Sequence, residues 1–394
     1  MKQILIAVSI TAACSGLAYA QTATVPPDQS QSGQDQGLTQ RIKQLEDWRN
    51  QQVNSTPSQK QEAVPAQNGI ASIPVTVYGL ADFYLENGYN GVNNIQRLQS
   101  GGLSGSRVGF KGNDVVCKGV DAFYNLEAGL NINNGTSGQG AVLFGRQAYA
   151  GLEGKKWGAL SVGRQYAPVF LANVIFMGGG LYGGMAYGNA SDNFFDASIA
   201  RINNSINYVT PKILGFTLDA FYGLGETSQT KGQINVGNVF SYSVQYDLGA
   251  FSAIASSLTR QTTPTVSGTW KVASATYDFK VVKIAVMYQT QKDLSEPENN
   301  YFDEISAYVP LGQGGLLIDY GTLHNKLMVN ADAKFECLRY EYFWTKRTTI
   351  YTGIGNMINE ANANFGIFGS TGAPLTIVKG NNERSIILGA KILF

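Results

Sequence analysis

Apolar and polar residues alternate along the chain from residue 75 onward, in segments separated by Gly-rich and polar turns. In the first segment, Val77 and Leu85 share one parity, whereas Tyr78 and Asp82 share the other. A period of two places successive side chains on opposite faces of a β-strand. The pattern therefore predicts strands with one apolar face and one polar face.

Segments of this kind follow one another to the end of the chain. We predict sixteen strands, near residues 75–86, 104–112, 119–131, 142–153, 157–165, 203–210, 215–225, 236–247, 250–259, 268–279, 282–291, 301–309, 315–323, 334–344, 347–357 and 384–394. The connections after even-numbered strands are short, whereas most of those after odd-numbered strands are longer. This is the arrangement of a transmembrane β-barrel. The expected fold is all-β, a 16-stranded antiparallel transmembrane β-barrel formed by residues 73–394.

The last segment supports closure of this barrel. Ile386, Leu388 and Ile392 share one parity, Lys391 lies on the other, and the segment ends at Phe394. The terminal strand of a barrel pairs with the first strand, so its lipid face must be apolar at every second residue. We expect Phe394 to lie in the aromatic girdle at the periplasmic end.

The N-terminal part has a different character. Residues 1–20 combine a basic start, an apolar stretch and a small-x-small site, which predicts a secretory signal peptide. Residues 21–72 are rich in Gln and too polar to build a core, so they predict a periplasmic arm or linker. Within this arm, residues 38–48 place Leu38 and Ile42 at coiled-coil spacing. Two interpretations remain open, a disordered arm and a short trimeric coiled coil.

Composition narrows the function classes. The 29 basic and 28 acidic side chains give a formal charge of +1, which does not favour a nucleic-acid partner. The single histidine, His324, excludes a His-rich zinc site, and no motif indicates a metal or cofactor. Cys117 and Cys337 are predicted near opposite ends of the barrel, so we expect no bridge between them within one chain.

Several motifs, taken in order, resemble the general trimeric porins of Gram-negative bacteria, in the branch typified by β-proteobacterial and Neisserial porins. They are "VTVYGLADFYLENG", "GSRVGFKGND", "VDAFYNLEAGLN", "FGRQAYAGLEG", "WGALSVGRQYAPVF", "NNSINYVTP", "FTLDAFYGLGE", "LRYEYFWTKRTTIYTGIG" and "ILGAKILF". The resemblance implies a water-filled homotrimeric barrel in the lipid of the outer membrane. It also implies that the third external loop, about residues 166–202, folds into the lumen as a constriction loop.

The same resemblance assigns the residues of the constriction. Arginines of the barrel wall face acids of the inserted loop, and the matching wall positions here are Arg107, Lys111, Arg146 and Arg164. The loop contributes Asp192, Asp196 and, at its end, Arg201. Because the loop is poor in carboxylates, we expect a net basic constriction that favours anions. Whether the loop's many aromatic residues contact solutes or only pack against the wall is left open.

The remaining inward acids fit a channel better than a catalyst. Asp82 and Glu127 are predicted to line the lumen, and no catalytic residues are assigned. The expected function is passive diffusion of small hydrophilic solutes and ions, without enzymatic activity. The alternatives are a substrate-selective porin for organic or aromatic carboxylates, an outer-membrane barrel enzyme, and a structural protein whose arm contacts peptidoglycan.

Overall fold

A computed structural model of the chain describes residues 75–176, 188, 190–195, 197–226, 235–293 and 298–394. Three predicted features lie outside the described residues: the signal peptide 1–20, the arm 21–72 with its segment 38–48, and Asp196.

Strands make up most of the described chain. Their bounds are β1 Thr76–Tyr89, β2 Asn94–Ser100, β3 Arg107–Cys117, β4 Val120–Gly129, β5 Gln147–Gly154, β6 Gly158–Tyr166, β7 Arg201–Val209, β8 Phe216–Gly223, β9 Val239–Leu248, β10 Phe251–Gln261, β11 Ser267–Asp278, β12 Lys283–Asp293, β13 Glu298–Leu311, β14 Gly314–Asn325, β15 Ala333–Phe343, β16 Thr348–Asn359 and β17 Glu383–Leu393. The described helices are α1 Pro168–Phe176, a 3-10 helix Ser191–Phe194 and α2 Ala197–Ala200.

The strands form one closed antiparallel sheet. β17 pairs with β1 from Leu80 opposite Leu393 to Tyr89 opposite Arg384, which joins the two ends of the sheet. On its other side, β1 pairs with β3 through residues 76–80 and with β2 through residues 83–89. β2 and β3 are therefore two halves of one position around the wall, here called a stave. The barrel has sixteen staves, as predicted.

One local prediction was wrong. The residues between 87 and 103 were expected to form a loop, but 94–100 form β2 and extend the second stave. Residues 101–106, here called the insertion, interrupt this stave between β2 and β3. The register of β1 shows the interruption, because Phe83 pairs with Ser100 whereas Leu80 pairs with Arg107.

The predicted two-faced strands are confirmed. Leu85 and Leu388, on the expected lipid face, are 59% and 56% exposed, whereas inward-facing Asp82 is 0% exposed. A continuous apolar surface of this kind is unfavourable in water and suits a hydrocarbon surrounding. The hydrogen bonds between strands satisfy the backbone all round the closed wall, which the interior of a bilayer requires. Among the described helices, none has the length and apolar character needed to cross a membrane.

Apolar packing also fills part of the interior. Inward side chains of β9–β16, including Leu258, Trp270 and Phe335, form one buried cluster with Val169 and Ala172 of α1. α1 follows β6, yet it packs against β8–β12 on the far part of the wall. The connection between β6 and β7 therefore begins inside the barrel, as the constriction loop was expected to do.

The two cysteines described by the structure are free. Cys117 is exposed at the end of β3, and Cys337 is buried in β15. These positions agree with the expectation that the two residues form no bridge within the chain.

Candidate functional site

A buried carboxylate organises the basic residues of the wall. Glu127 of β4 is 2% exposed and accepts a hydrogen bond from Arg146 Nε at 2.7 Å. Arg107 Nη1 lies 3.7 Å from the other carboxylate oxygen of Glu127. Arg107 and Arg146 are 5% and 4% exposed. The structure thus brings together two of the four predicted wall residues, on a side chain predicted only to line the lumen.

The local sequence explains how a tyrosine joins this group. Gly109 of β3 lies opposite Tyr78 of β1 and opposite Glu127 of β4. A Cβ atom on Gly109 would lie only 2.5 Å from the Tyr78 ring, so the glycine leaves the space that this ring occupies. The Tyr78 hydroxyl therefore reaches Glu127 Oε2 at 3.0 Å. Lys111 Nζ lies 5.1 Å from the centre of the same ring and extends the positive charge along β3.

A second tyrosine links the wall to the constriction loop. The Tyr166 hydroxyl, at the end of β6, accepts hydrogen bonds from Arg146 Nη2 at 2.9 Å and from Arg201 Nη2 at 2.7 Å. The Arg201 guanidinium also lies over the Tyr166 ring, 4.5 Å from its centre, and Phe170 of α1 stacks on that ring at 4.7 Å. Arg201 therefore belongs to the basic cluster, defined here as Arg107, Arg146 and Arg201 around Glu127 and Tyr166.

Arg164 does not join this cluster. Its Nε donates to the Gly145 carbonyl at 2.8 Å, and its Nη1 donates to Asn203 Oδ1 at 2.7 Å. The pairing of β6 with β7 shifts register between Gly163 and Gln165, and Gly163 has a φ of 131°. Such bulges redirect the side chains that follow them. These contacts of Arg164 are with Gly145 and Asn203 and not with Glu127, so they do not support its predicted role beside the other arginines.

Asp192 lies on the other side of the barrel. The 3-10 helix that carries it packs against β12 and β13. Because β2 and β3 share a stave, β4 is the third stave and β12 the eleventh, which is half of the sixteen-stave circle. Asp192 is half-buried and is therefore placed across the barrel from Glu127 and its arginines. Asp196, its predicted partner, lies outside the described residues.

Asp82 faces inward but is closed off from the lumen. Its carboxylate accepts hydrogen bonds from the backbone N–H groups of Gly102 at 3.0 Å, Leu103 at 3.0 Å and Ser104 at 2.8 Å. The Tyr351 hydroxyl of β16 donates to it at 2.7 Å. Since Asp82 is 0% exposed, its observed contacts hold the insertion against the wall and leave no surface for a solute.

The basic cluster carries more positive than negative charge. Two guanidinium groups, those of Arg107 and Arg146, contact the carboxylate of Glu127, and a third, that of Arg201, is joined to Arg146 through the Tyr166 hydroxyl. Among the described residues, no acceptor forms a hydrogen bond with Arg107 Nε. A group of fixed cations on a wall of low dielectric constant attracts anions and repels cations.

Comparison with known proteins agrees with this architecture. A sequence profile of the Gram-negative porins matches residues 7–362, which is most of the chain. The chain belongs to the Gram-negative porin family. An outer-membrane location follows for this porin.

Individual porins resemble this chain in sequence or in structure. An outer-membrane porin protein of Bordetella pertussis is 28% identical over 261 residues, which are 57% of this porin and 65% of the relative. This porin therefore spans less than two thirds of that curated relative. An anion-selective porin from Comamonas acidovorans has a similar structure, with a TM-score of 0.68 and 22% identity over 82% of this porin and 99% of the other chain. The outer-membrane protein OmpT of Vibrio cholerae, in its trimer form, gives a TM-score of 0.61 at 16% identity over 82% and 99%.

Two members of the site in this porin were not predicted from the sequence. Tyr78 shares the inward parity of Asp82, which was a usable signal for its direction. Tyr166 follows Arg164 by two residues in the motif "GRQYAP", but nothing local shows that its hydroxyl accepts from two arginines. That contact depends on the fold of the loop between β6 and β7.

Proposed function

We propose that this porin forms a water-filled channel for the passive diffusion of small hydrophilic solutes and ions, with a net basic constriction that favours anions. The observation that carries this proposal is the basic cluster, in which Arg107 and Arg146 share the carboxylate of Glu127 and Arg201 is joined to Arg146 through the Tyr166 hydroxyl. The printed description of the Comamonas acidovorans structure as an anion-selective porin supports the same direction.

The cluster favours general anion passage over a site for one aromatic carboxylate. The Tyr166 side chain is only 5% exposed, with Phe170 stacked on its ring and the Arg201 guanidinium 4.5 Å from the ring centre. An aromatic solute would have to displace one of these to stack on the ring. We therefore keep a channel for small anions as the proposal, with no enzymatic activity assigned to it.

Assembly and anchoring complete the proposal. A homotrimer is supported by the family and by the trimer form described for OmpT. The predicted signal peptide 1–20 would export the chain, and the Gln-rich arm 21–72 would remain in the periplasm, where peptidoglycan contact is one role to test. These segments are argued from the sequence alone.

The test is a reversal-potential measurement on purified protein in planar bilayers across a salt gradient. The wild-type channel should conduct and show a reversal potential displaced toward the equilibrium potential of the anion. Replacing Arg107, Arg146 and Arg201 together by Gln should move it toward that of the cation, because the basic cluster loses three positive charges. If the wild-type protein does not conduct ions in the bilayer, the proposed channel function is refuted. A triple variant with unchanged reversal potential would refute the basic constriction.

A further inference from the structure

We propose that the last loop of the barrel supplies a second constriction element, residues 365–374, and that Thr371 lines the passage beside the basic cluster. This proposal rests on the proposed channel function. Residues 360–382 connect β16 to β17, and at the open end of a barrel such a loop would ordinarily lie over the rim. Here its middle part, 365–374, makes its contacts inside the wall.

The element first binds the constriction loop. Asn193 Nδ2 donates to the Gly366 carbonyl at 2.9 Å, and Gly366 N donates back to Asn193 Oδ1 at 3.1 Å. Gly188 N donates to the Phe368 carbonyl at 3.2 Å. Phe194 and Phe365 meet edge to face, with ring centres 5.1 Å apart. These contacts couple the two loops at backbone level, which fixes their separation more firmly than side-chain packing alone.

The element next lies against the inner face of β1 and the wall beside it. A Cβ atom on Gly372 would lie 2.2 Å from the hydroxyl of Tyr84, which shares the inward parity of Asp82. Ile367 is 1% exposed, and its N–H donates to Glu383 Oε2 of β17 at 2.8 Å. The element therefore has an anchor on each side of the seam between β17 and β1.

The far end of the element reaches the insertion, residues 101–106. Ser370 N donates to the Gly102 carbonyl at 3.2 Å, and Thr371 N donates to the Gly101 carbonyl at 3.0 Å. In return, Gly105 N donates to Ser370 Oγ at 3.1 Å. The insertion is itself held by Asp82, so this end is fixed to the wall as well.

This anchorage places Thr371 next to the arginines. A Cβ atom on Gly105 would lie 2.6 Å from both Arg146 Nη1 and Thr371 Cγ2, so those two atoms are at most twice that distance apart. Thr371 is exposed, whereas Arg146 is 4% exposed. Solvent at this point of the cluster therefore meets the threonine before it meets the guanidinium. We assign Thr371 as a residue that determines charge selectivity, because solutes must pass it to approach Arg146.

The experiment compares two threonines of the same loop. Thr371→Asp introduces a carboxylate beside Arg146, whereas Thr376→Asp introduces one at an exposed residue whose carbonyl accepts from Asn90 near the end of β1. Relative to the conducting wild-type channel, Thr371→Asp should lower the anion-to-cation permeability ratio by about threefold. A negative charge this close to Arg146 offsets the positive charge of its guanidinium. Thr376→Asp should change the ratio by much less.

The outcomes separate the two proposals. A wild-type protein that does not conduct refutes the channel itself. A conducting wild type with no shift in Thr371→Asp, or with equal shifts in both variants, refutes the second constriction element alone. If Thr371→Asp fails to insert, Thr371→Cys and Thr376→Cys are made in a Cys117→Ser background and exposed to a negatively charged thiosulfonate. Only Thr371→Cys should lose conductance on modification, and unaltered conductance in modified protein would refute the assignment.

Discussion

Replacement of Asp82 by Ala should destabilise the barrel and release the insertion. The side chain is 0% exposed and accepts from four donors: the backbone N–H groups of Gly102, Leu103 and Ser104, and the Tyr351 hydroxyl. A buried donor that loses its acceptor costs about 1 kcal/mol or more. With four donors affected, we expect the free energy of unfolding to fall by about 4 kcal/mol.

The assay is unfolding by guanidinium in detergent, followed by tryptophan fluorescence. Asp82→Asn tests the role of the charge, because an amide keeps only one oxygen to accept and turns an N–H group toward N–H donors. We expect Asp82→Asn to recover at most half of the free energy of unfolding that Asp82→Ala loses. Asp114→Ala, at an exposed residue of β3, is the matched control and should change the free energy by less than about 0.5 kcal/mol. If Asp82→Ala were as stable as this control, the insertion would not depend on the carboxylate.

Two further results are expected. Arg146→Gln should move the reversal potential further toward the equilibrium potential of the cation than Arg164→Gln does. The reason is that only Arg146 contacts Glu127 and Tyr166. Equal shifts in the same salt gradient would contradict the separation of Arg164 from the basic cluster. A water-soluble maleimide should label exposed Cys117 in the folded protein and buried Cys337 only after unfolding, as counted by intact mass; rapid double labelling of the folded protein would show that the interior is open at β15.

Alternation of apolar and polar residues was enough to predict the barrel. The outward direction of Leu85 and Leu388 depends only on the two-residue period, so local sequence determines it. β2 was not predicted because its separation from β3 depends on contacts with a residue of another strand. The insertion interrupts this stave because three consecutive backbone N–H groups donate to Asp82 of β1. No pattern in the local sequence indicates these hydrogen bonds.

The site was predictable to a smaller extent. Matched motifs pointed to Arg107 and Arg146, which the structure brings together on Glu127. They also pointed to Arg164, whose direction is decided by the bulge after Gly163. The contacts of Tyr166 with two arginines require α1 and β7 to be in place, so they arise from tertiary structure. Sequence spacing can name candidate residues of a basic cluster on the wall, but it cannot say which of them share a counter-ion.

The apolar cluster between α1 and the inward faces of β9–β16 has an electrical consequence. This packing, which includes Leu258, Trp270 and Phe335, narrows the interior from one flank at the level of α1. In the proposed channel, the path left for ions at that level lies nearer to the strands that carry Arg146. The conductance should therefore respond more strongly to a charge placed beside Arg146 than to one placed behind α1.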